Sequence, residues 1–123
     1  MGNFYIRQVP TGTKFDLTAA NGQIIAVSEI YTTRAACLRG IASVQRNAPK
    51  ARLEDLTAQP TGQVSNPKFQ LFLDKAGQFR FRLRAHNGQI IAVSEAYTTK
   101  ASALGGIDSV RKNAPDASIQ DRP

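Results

Sequence analysis

Tryptophan is absent from this chain, and cysteine, histidine and methionine occur once each. One cysteine excludes a disulfide framework or a thiolate metal cage within the chain, and one imidazole excludes the paired histidines of a zinc motif. No uninterrupted apolar run approaches the about 18 residues that a membrane-spanning helix needs. The opening Met1-Gly2-Asn3-Phe4-Tyr5-Ile6 has neither the apolar stretch of a signal peptide nor the hydroxyl residue that myristoylation requires at its sixth position. These absences create the expectation of a soluble, cytoplasmic protein with no membrane partner. Acidic residues are also scarce, 9 against 16 Lys and Arg, for a net charge of +7. An excess of that sign concentrates polyanions around a protein, which makes nucleic acid a candidate partner.

What the chain does contain, it contains twice. Asn-Gly-Gln-Ile-Ile-Ala-Val-Ser-Glu stands at 21–29 and again at 87–95, and 23 of 35 positions agree without a gap between 21–55 and 87–121. A length of 123 residues is ordinary for one domain. The expected organisation is therefore a single pseudo-symmetric domain over 1–123, with repeat one at 3–55, a linker at 56–67 rich in Thr, Gln, Gly, Ser, Asn and Pro, and repeat two at 68–121. Because a duplicated unit supplies its own partner, a monomer is expected.

Within each repeat the apolar period changes in a readable order. Phe69 and Leu71, then Phe79, Phe81 and Leu83, alternate with Gln70, Phe72, Arg80, Arg82 and Arg84, the two-residue period of half-buried strands. Asp74-Lys75-Ala76-Gly77, matched by Val9-Pro10-Thr11-Gly12, supplies the turn between them. A third strand, 23–28 or 89–94, follows Asn-Gly. A three-residue loop, Ala20-Asn21-Gly22 with glycine in the left-handed position, would pair Phe15 with Val27 and Leu17 with Ile25, and Phe81 with Val93 and Leu83 with Ile91. The opposite face would then carry Arg80, Arg82, Arg84, Ile90, Ala92 and Ser94.

Thr32-Thr33 and Thr98-Thr99 supply capping hydroxyls for helices over 34–46 and 100–112, each with one apolar stripe: Leu38, Ile41 and Val44, or Leu104, Ile107 and Val110. Both stop at Asn-Ala-Pro, where asparagine suits a left-handed cap and the residue before proline avoids helical dihedrals. Short fourth strands are expected at 51–54 and 117–120. The fold class is thus α+β: two tandem β-β-β-α-β repeats forming one continuous, mainly antiparallel sheet of about eight strands. Both helices lie on one face, and the last strand of each unit is able to insert beside the other unit.

The run Phe79-Arg80-Phe81-Arg82-Leu83-Arg84-Ala85-His86-Asn87-Gly88-Gln89-Ile90-Ile91-Ala92-Val93-Ser94-Glu95, followed by Tyr97-Thr98-Thr99-Lys100-Ala101 and Asn113-Ala114-Pro115-Asp116-Ala117, resembles the YegP-like family of small bacterial and archaeal proteins. The resemblance covers nearly the whole chain. It implies tandem β-β-β-α-β units, or two single-unit subunits, sharing one sheet, and it implies no catalytic or binding residue. Repeat one departs most, with Asp16 and Thr18 where repeat two has Arg82 and Arg84.

Chemistry finds few candidates. His86 falls in the Asn-Gly loop and is matched by Ala20, so it reads as a turn residue rather than a general base. Cys37 is matched by Ala103 and reads as a small buried filler. Ser28-Glu29 and Ser94-Glu95 read as solvated strand exits, Gly40 and Gly106 as points of close helix approach, and the paired threonines as caps rather than an anion site. No catalytic residue, metal ligand or cofactor is expected. The sharper candidate is the outer sheet face: Arg80, Arg82 and Arg84 beside Phe72, with Lys14 and Arg7 from repeat one, form a composition suited to phosphate pairing and base stacking. The expected function is a non-enzymatic binding module that contacts single-stranded nucleic acid or another polyanion there. The alternative is a protein-interaction or self-association module using Tyr5, Ile24, Phe72 and Ile90.

Overall fold

A computed structural model describes residues 2–58 and 62–122; residues 59–61, inside the expected linker, lie outside the described residues. Eight strands form one sheet in the order β4-β5-β6-β7-β3-β2-β1-β8. Repeat one supplies β1 (Asn3–Val9), β2 (Gly12–Thr18), β3 (Ile24–Val27), α1 (Arg34–Asn47) and β4 (Arg52–Asp55). Repeat two supplies β5 (Lys68–Leu73), β6 (Phe79–Arg84), β7 (Ile90–Val93), α2 (Lys100–Asn113) and β8 (Ser118–Arg122), with a 3-10 turn at Ala114–Asp116.

The last strands are exchanged. β4 runs parallel to β5, and β8 runs parallel to β1, so each repeat closes the edge of the other. Ion pairs hold both exchanges: Arg34 at the start of α1 grips Asp121 of β8 through two nitrogens at 3.0 and 2.8 Å, and Lys100 at the start of α2 pairs with Asp55 of β4. The other ladder pairs are antiparallel, and the two halves meet at β3 and β7 through Val27 opposite Val93.

Alternation places Phe4, Phe15 and Leu17, or Phe69, Phe81 and Leu83, beneath the helices, where all six are fully buried or within 1% of it. Each such side chain contributes about 1.5–3 kcal/mol through lost apolar exposure. The aromatic arrangement repeats as well: Phe4 meets Phe15 edge-on at 5.5 Å, Phe69 meets Phe81 at 5.9 Å, and Tyr31 and Tyr97 stack on Phe15 and Phe81 at 6.4 and 6.2 Å. Cys37 is buried in this core, as its match with Ala103 suggests, and burial pushes its thiol pKa up. Thr33 and Thr99 cap the helices, accepting from the Ala36 and Ser102 amides at 3.0 and 3.1 Å.

The hairpin loop itself is as expected. Ala19 N–H donates to the Gln23 carbonyl and Gly22 N–H to the Ala19 carbonyl, both at 2.9 Å, with Gly22 at φ +85°. The pairing beyond it is not. Leu17 faces Ala26 while Thr18 faces Ile24, leaving Ile25 in a bulge, and repeat two skips Ile91 in the same way. The Phe15–Val27, Leu17–Ile25, Phe81–Val93 and Leu83–Ile91 pairs therefore do not form. Asp16 faces Val27, and Arg82 faces Val93. The bulge lets two successive residues, Ile25 at 5% exposure and Ala26 at 1%, both turn toward the core. Ala92 and Ser94 consequently belong to the helix side, and Val27 and Val93 to the outer face.

Two further expectations change. Ser28 and Ser94 are not solvated: each is buried, accepts the Phe15 or Phe81 amide at 2.9 Å, and donates to the following glutamate carbonyl. Asn47 and Asn113 are helical rather than left-handed, since no residue other than glycine has positive φ among the described residues. Their side-chain amides bond back to the carbonyls of Ser43 and Ser109 at 2.8 Å, a local interaction that competes with a left-handed stop.

Candidate nucleic-acid interface

On the helix-free face, β5 and β6 present alternate side chains in one layer. Phe72 lies opposite Arg80, Gln70 opposite Arg82, and Lys68 opposite Arg84. Gln70 organises the layer: its side-chain carbonyl accepts from Arg82 Nε and Arg84 Nε, both at 2.7 Å. Its amide nitrogen donates to Glu54 Oε1 at 2.7 Å, and Lys68 pairs with the same carboxylate at 3.1 Å. These contacts hold the Glu54 pKa below its usual range, with the Gln70 hydrogen bond as the leading cause. Arg84 also donates to the Gly88 carbonyl at 2.7 Å.

Two guanidiniums are thus aligned by a neutral acceptor. Neither Arg82 nor Arg84 makes an ion pair among the described residues. Burial, then the neighbouring charge of Arg84, lowers the Arg82 pKa, with Glu54 opposing; a guanidinium remains protonated under any such shift. Arg82 also lies over the Phe72 ring at 4.7 Å. Such cation–π contact restrains the guanidinium, and its terminal N–H donors have no hydrogen-bond partner among the described residues.

The other candidates are placed differently. Arg80 is drawn to Asp74 at 2.9 Å, and Asp74 also accepts the Ala76 and Gln78 amides of the turn. Arg7 and Lys14 face one another across β1 and β2, but Arg7 is committed to the buried Asp16 at 2.8 Å. Two strands, β7 and β3, separate Lys14 on β2 from β6, and Arg7 on β1 lies one strand further out, so Lys14 stands roughly 14 Å across the sheet from the arginine row. The structure brings together Arg80, Arg82, Arg84 and Phe72, and leaves Lys14 and Arg7 apart. Tyr5 is covered by Arg122 of the exchanged β8, 3.9 Å from its ring centre.

Sequence reasoning missed the seam. A hollow of about 270 Å³ lies between β3 and β7, lined by Val27, Ser28, Glu29, Ile90 and Val93 among others. Ile90 and Val93 are the cross-strand partners of Arg84 and Arg82. Two apolar residues of the hollow therefore adjoin the guanidinium pair; the expected register had put Ile90 on this face and Val93 on the opposite one. Gln70 was legible as an outward-facing residue, but nothing in its spacing marks it as a shared acceptor.

Known proteins resemble both halves of this arrangement. A family model described as a domain of unknown function (DUF1508) matches residues 12–55 and 74–121. A UPF0339 protein of Bordetella pertussis is 41% identical over 122 residues, covering 98% of this chain and 96% of its own. A UPF0339 protein of Treponema denticola is 62% identical over 52 residues, 42% of this chain and 90% of its own, and so has the length of about one repeat. The solution structure of yegP from E. coli, a protein of unknown function, superposes with a TM-score of 0.80 at 31% identity, covering 98% of this chain and 92% of that one. A UPF0339 protein of Shewanella oneidensis gives 0.77 at 31% identity, with 98% and 90% covered. With one model matched on each of two halves that share a sheet, the chain belongs to the DUF1508 (UPF0339, YegP-like) family of unknown function.

Proposed function

We propose that this protein is a non-catalytic binding module whose helix-free sheet face takes single-stranded nucleic acid. The observation that carries this reading is the Arg82–Arg84 pair, aligned on Gln70 without a carboxylate partner among the described residues, with Phe72 beneath one guanidinium. Phosphates would meet the terminal N–H donors, and bases would lie on Phe72 and the Ile90–Val93 hollow. Base–aromatic contact of this kind is worth about 1–3 kcal/mol per base.

The test is fluorescence anisotropy of a labelled single-stranded oligonucleotide over a salt series. Neutralising two phosphates should give a log–log salt slope of about −1.4. Arg82→Glu with Arg84→Glu should abolish retention; unchanged retention overturns the reading.

A second reading draws on the side chains of Ile24, Val27, Ile90 and Val93, which are only half-buried on the same face. They suit contact with a protein or a second copy of the chain. Such contact should persist or tighten as salt rises, whereas phosphate binding weakens.

A further inference from the structure

On the opposite side of the sheet, each helix forms a cleft with the hairpin of the other repeat. The cleft of α1 has a volume of about 320 Å³ and is lined by Tyr31, Arg39, Ser43, Arg46, His86 and Asn87, among others. The pseudo-symmetric cleft of α2, about 370 Å³, is lined by Tyr97, Ser102, Gly105, Ser109, Asn21 and Gln23, among others. The two are similar in size and in backbone origin. They differ in charge.

In the α1 cleft, Arg39 and Arg46 stand two turns apart on one helix stripe with Ser43 on the turn between them, and His86 lines the other side from the β6–β7 loop. The repeat replaces Arg39 by Gly105, Arg46 by Lys112 and His86 by Ala20. Lys112 does not line its cleft and is paired with Asp108 one turn earlier at 2.9 Å. The position matching Asp108 in α1 is Ala42, so Arg46 has no such acid. Neither Arg39 nor Arg46 makes an ion pair among the described residues, and no carboxylate lines the α1 cleft.

Ser43 and Tyr31 add hydroxyls to the lining, and Asn87 and Gln89 add neutral side-chain amides. Ser43 Oγ accepts from Asn47 Nδ2 at 3.1 Å, which leaves its own proton free to give outward. The Asn47 carbonyl oxygen takes the His86 backbone N–H at 3.2 Å, tying the hairpin to the end of α1 and fixing the width of the mouth. The Tyr31 ring packs against Gly40, so its hydroxyl forms part of the floor. Two arginines without carboxylate partners, two hydroxyl residues and a histidine line a space the size of a small-ligand pocket.

We propose that the α1 cleft binds a small phosphorylated ligand, with Arg39 and Arg46 holding the phosphate and Ser43 and His86 completing its shell. This site is separate from the helix-free face and does not depend on the function proposed for it. The α2 cleft, lacking all three substituted groups, is an internal control within the same molecule.

The test is an amide NMR titration of the full chain in phosphate-free, low-salt buffer, using inorganic phosphate, adenosine monophosphate and adenosine as probes. Inorganic phosphate and the monophosphate should produce saturable shifts over 36–46 and 85–89, with a dissociation constant of about 1 mM or tighter. Adenosine should produce none, and Asn21, Gln23, Ser102 and Ser109 of the control cleft should stay still. Arg39→Ala with Arg46→Ala, both exposed helix positions whose loss leaves the core intact, should weaken binding at least about tenfold. Shifts that do not saturate, equal shifts in both clefts, adenosine shifts matching the monophosphate, or full binding by the Arg39/Arg46 variant would each overturn the proposal.

Discussion

Val27 and Val93 face each other across the approximate two-fold axis, and theirs is the one register pair joining β3 to β7 among the described residues. Their outward position, one residue away from the register the loop suggests, has a direct test. Ala92 is 3% exposed beneath the helices whereas Val93 is half-buried on the free face. Ala92→Lys should cost more than about 3 kcal/mol by burying an unpaired charge, and Val93→Lys no more than about 1 kcal/mol. Urea denaturation reads the difference, and equal losses would refute this register.

The Asp55–Lys100 clasp should make the β4 exchange sensitive to acid. Burial works to raise the Asp55 pKa, but hydrogen bonds from Lys100 and Thr57, with the Lys100 charge, outweigh it and hold the carboxyl at about 2. Its unfolded value is higher, so the stabilisation is complete above about pH 4 and disappears as pH falls toward 2. With Lys100 partly solvated, the contribution is about 1 kcal/mol. Asp55→Asn should lose that amount at pH 7 and nothing near pH 2, as measured by denaturant midpoints at both pH values.

Neighbouring glycines in α2 should respond with opposite signs. A Cβ on Gly106 would strike the Tyr97 hydroxyl and come within 2.9 Å of Phe81 Cε2, whereas one on Gly105 would meet nothing within 4 Å. Gly106→Ala should destabilise by about 1–3 kcal/mol through overpacking. Gly105→Ala should stabilise by up to about 1 kcal/mol through helix propensity. Thermal melts of the two single variants decide the matter.

Asn47 should matter more than its counterpart. It is 5% exposed, bonds back to Ser43, and accepts the His86 amide from the other repeat. Asn113 is less buried and makes the equivalent bonds to Ser109. Asn47→Ala should therefore cost about 1–3 kcal/mol, and Asn113→Ala less, in paired chemical denaturation experiments.

Much of the fold was legible because the chain states its pattern twice. Alternation around Phe79, Phe81 and Leu83 located strands and core, and Thr33 and Thr99 located helix starts within a residue. The exchange of β4 and β8 was readable only as an option, because those strands are short and their partners lie far away in sequence. The register failed for a local reason. A bulge at Ile25 and Ile91 costs one residue of pairing, and neither its glycine-free sequence nor the preceding loop announces it. For the candidate interface, composition found Arg80, Arg82, Arg84 and Phe72, but the acids that neutralise Arg7 and Arg80 depend on cross-strand geometry and turn closure. The cleft of α1 combines residues 39, 46 and 86, which only the packing of one repeat's helix on the other repeat's hairpin brings together.

The reciprocal placement of β4 and β8 has one more consequence. Two separate, identical chains assembled in this way would be obliged to present every feature in duplicate, since a change in one would appear in both. Covalent tandem linkage removes that obligation: Asp16 can stand where the sister half has Arg82, and Arg39 where it has Gly105, on a scaffold whose backbone stays symmetric. Joining the halves thus converts twofold redundancy into freedom for each flank to specialise.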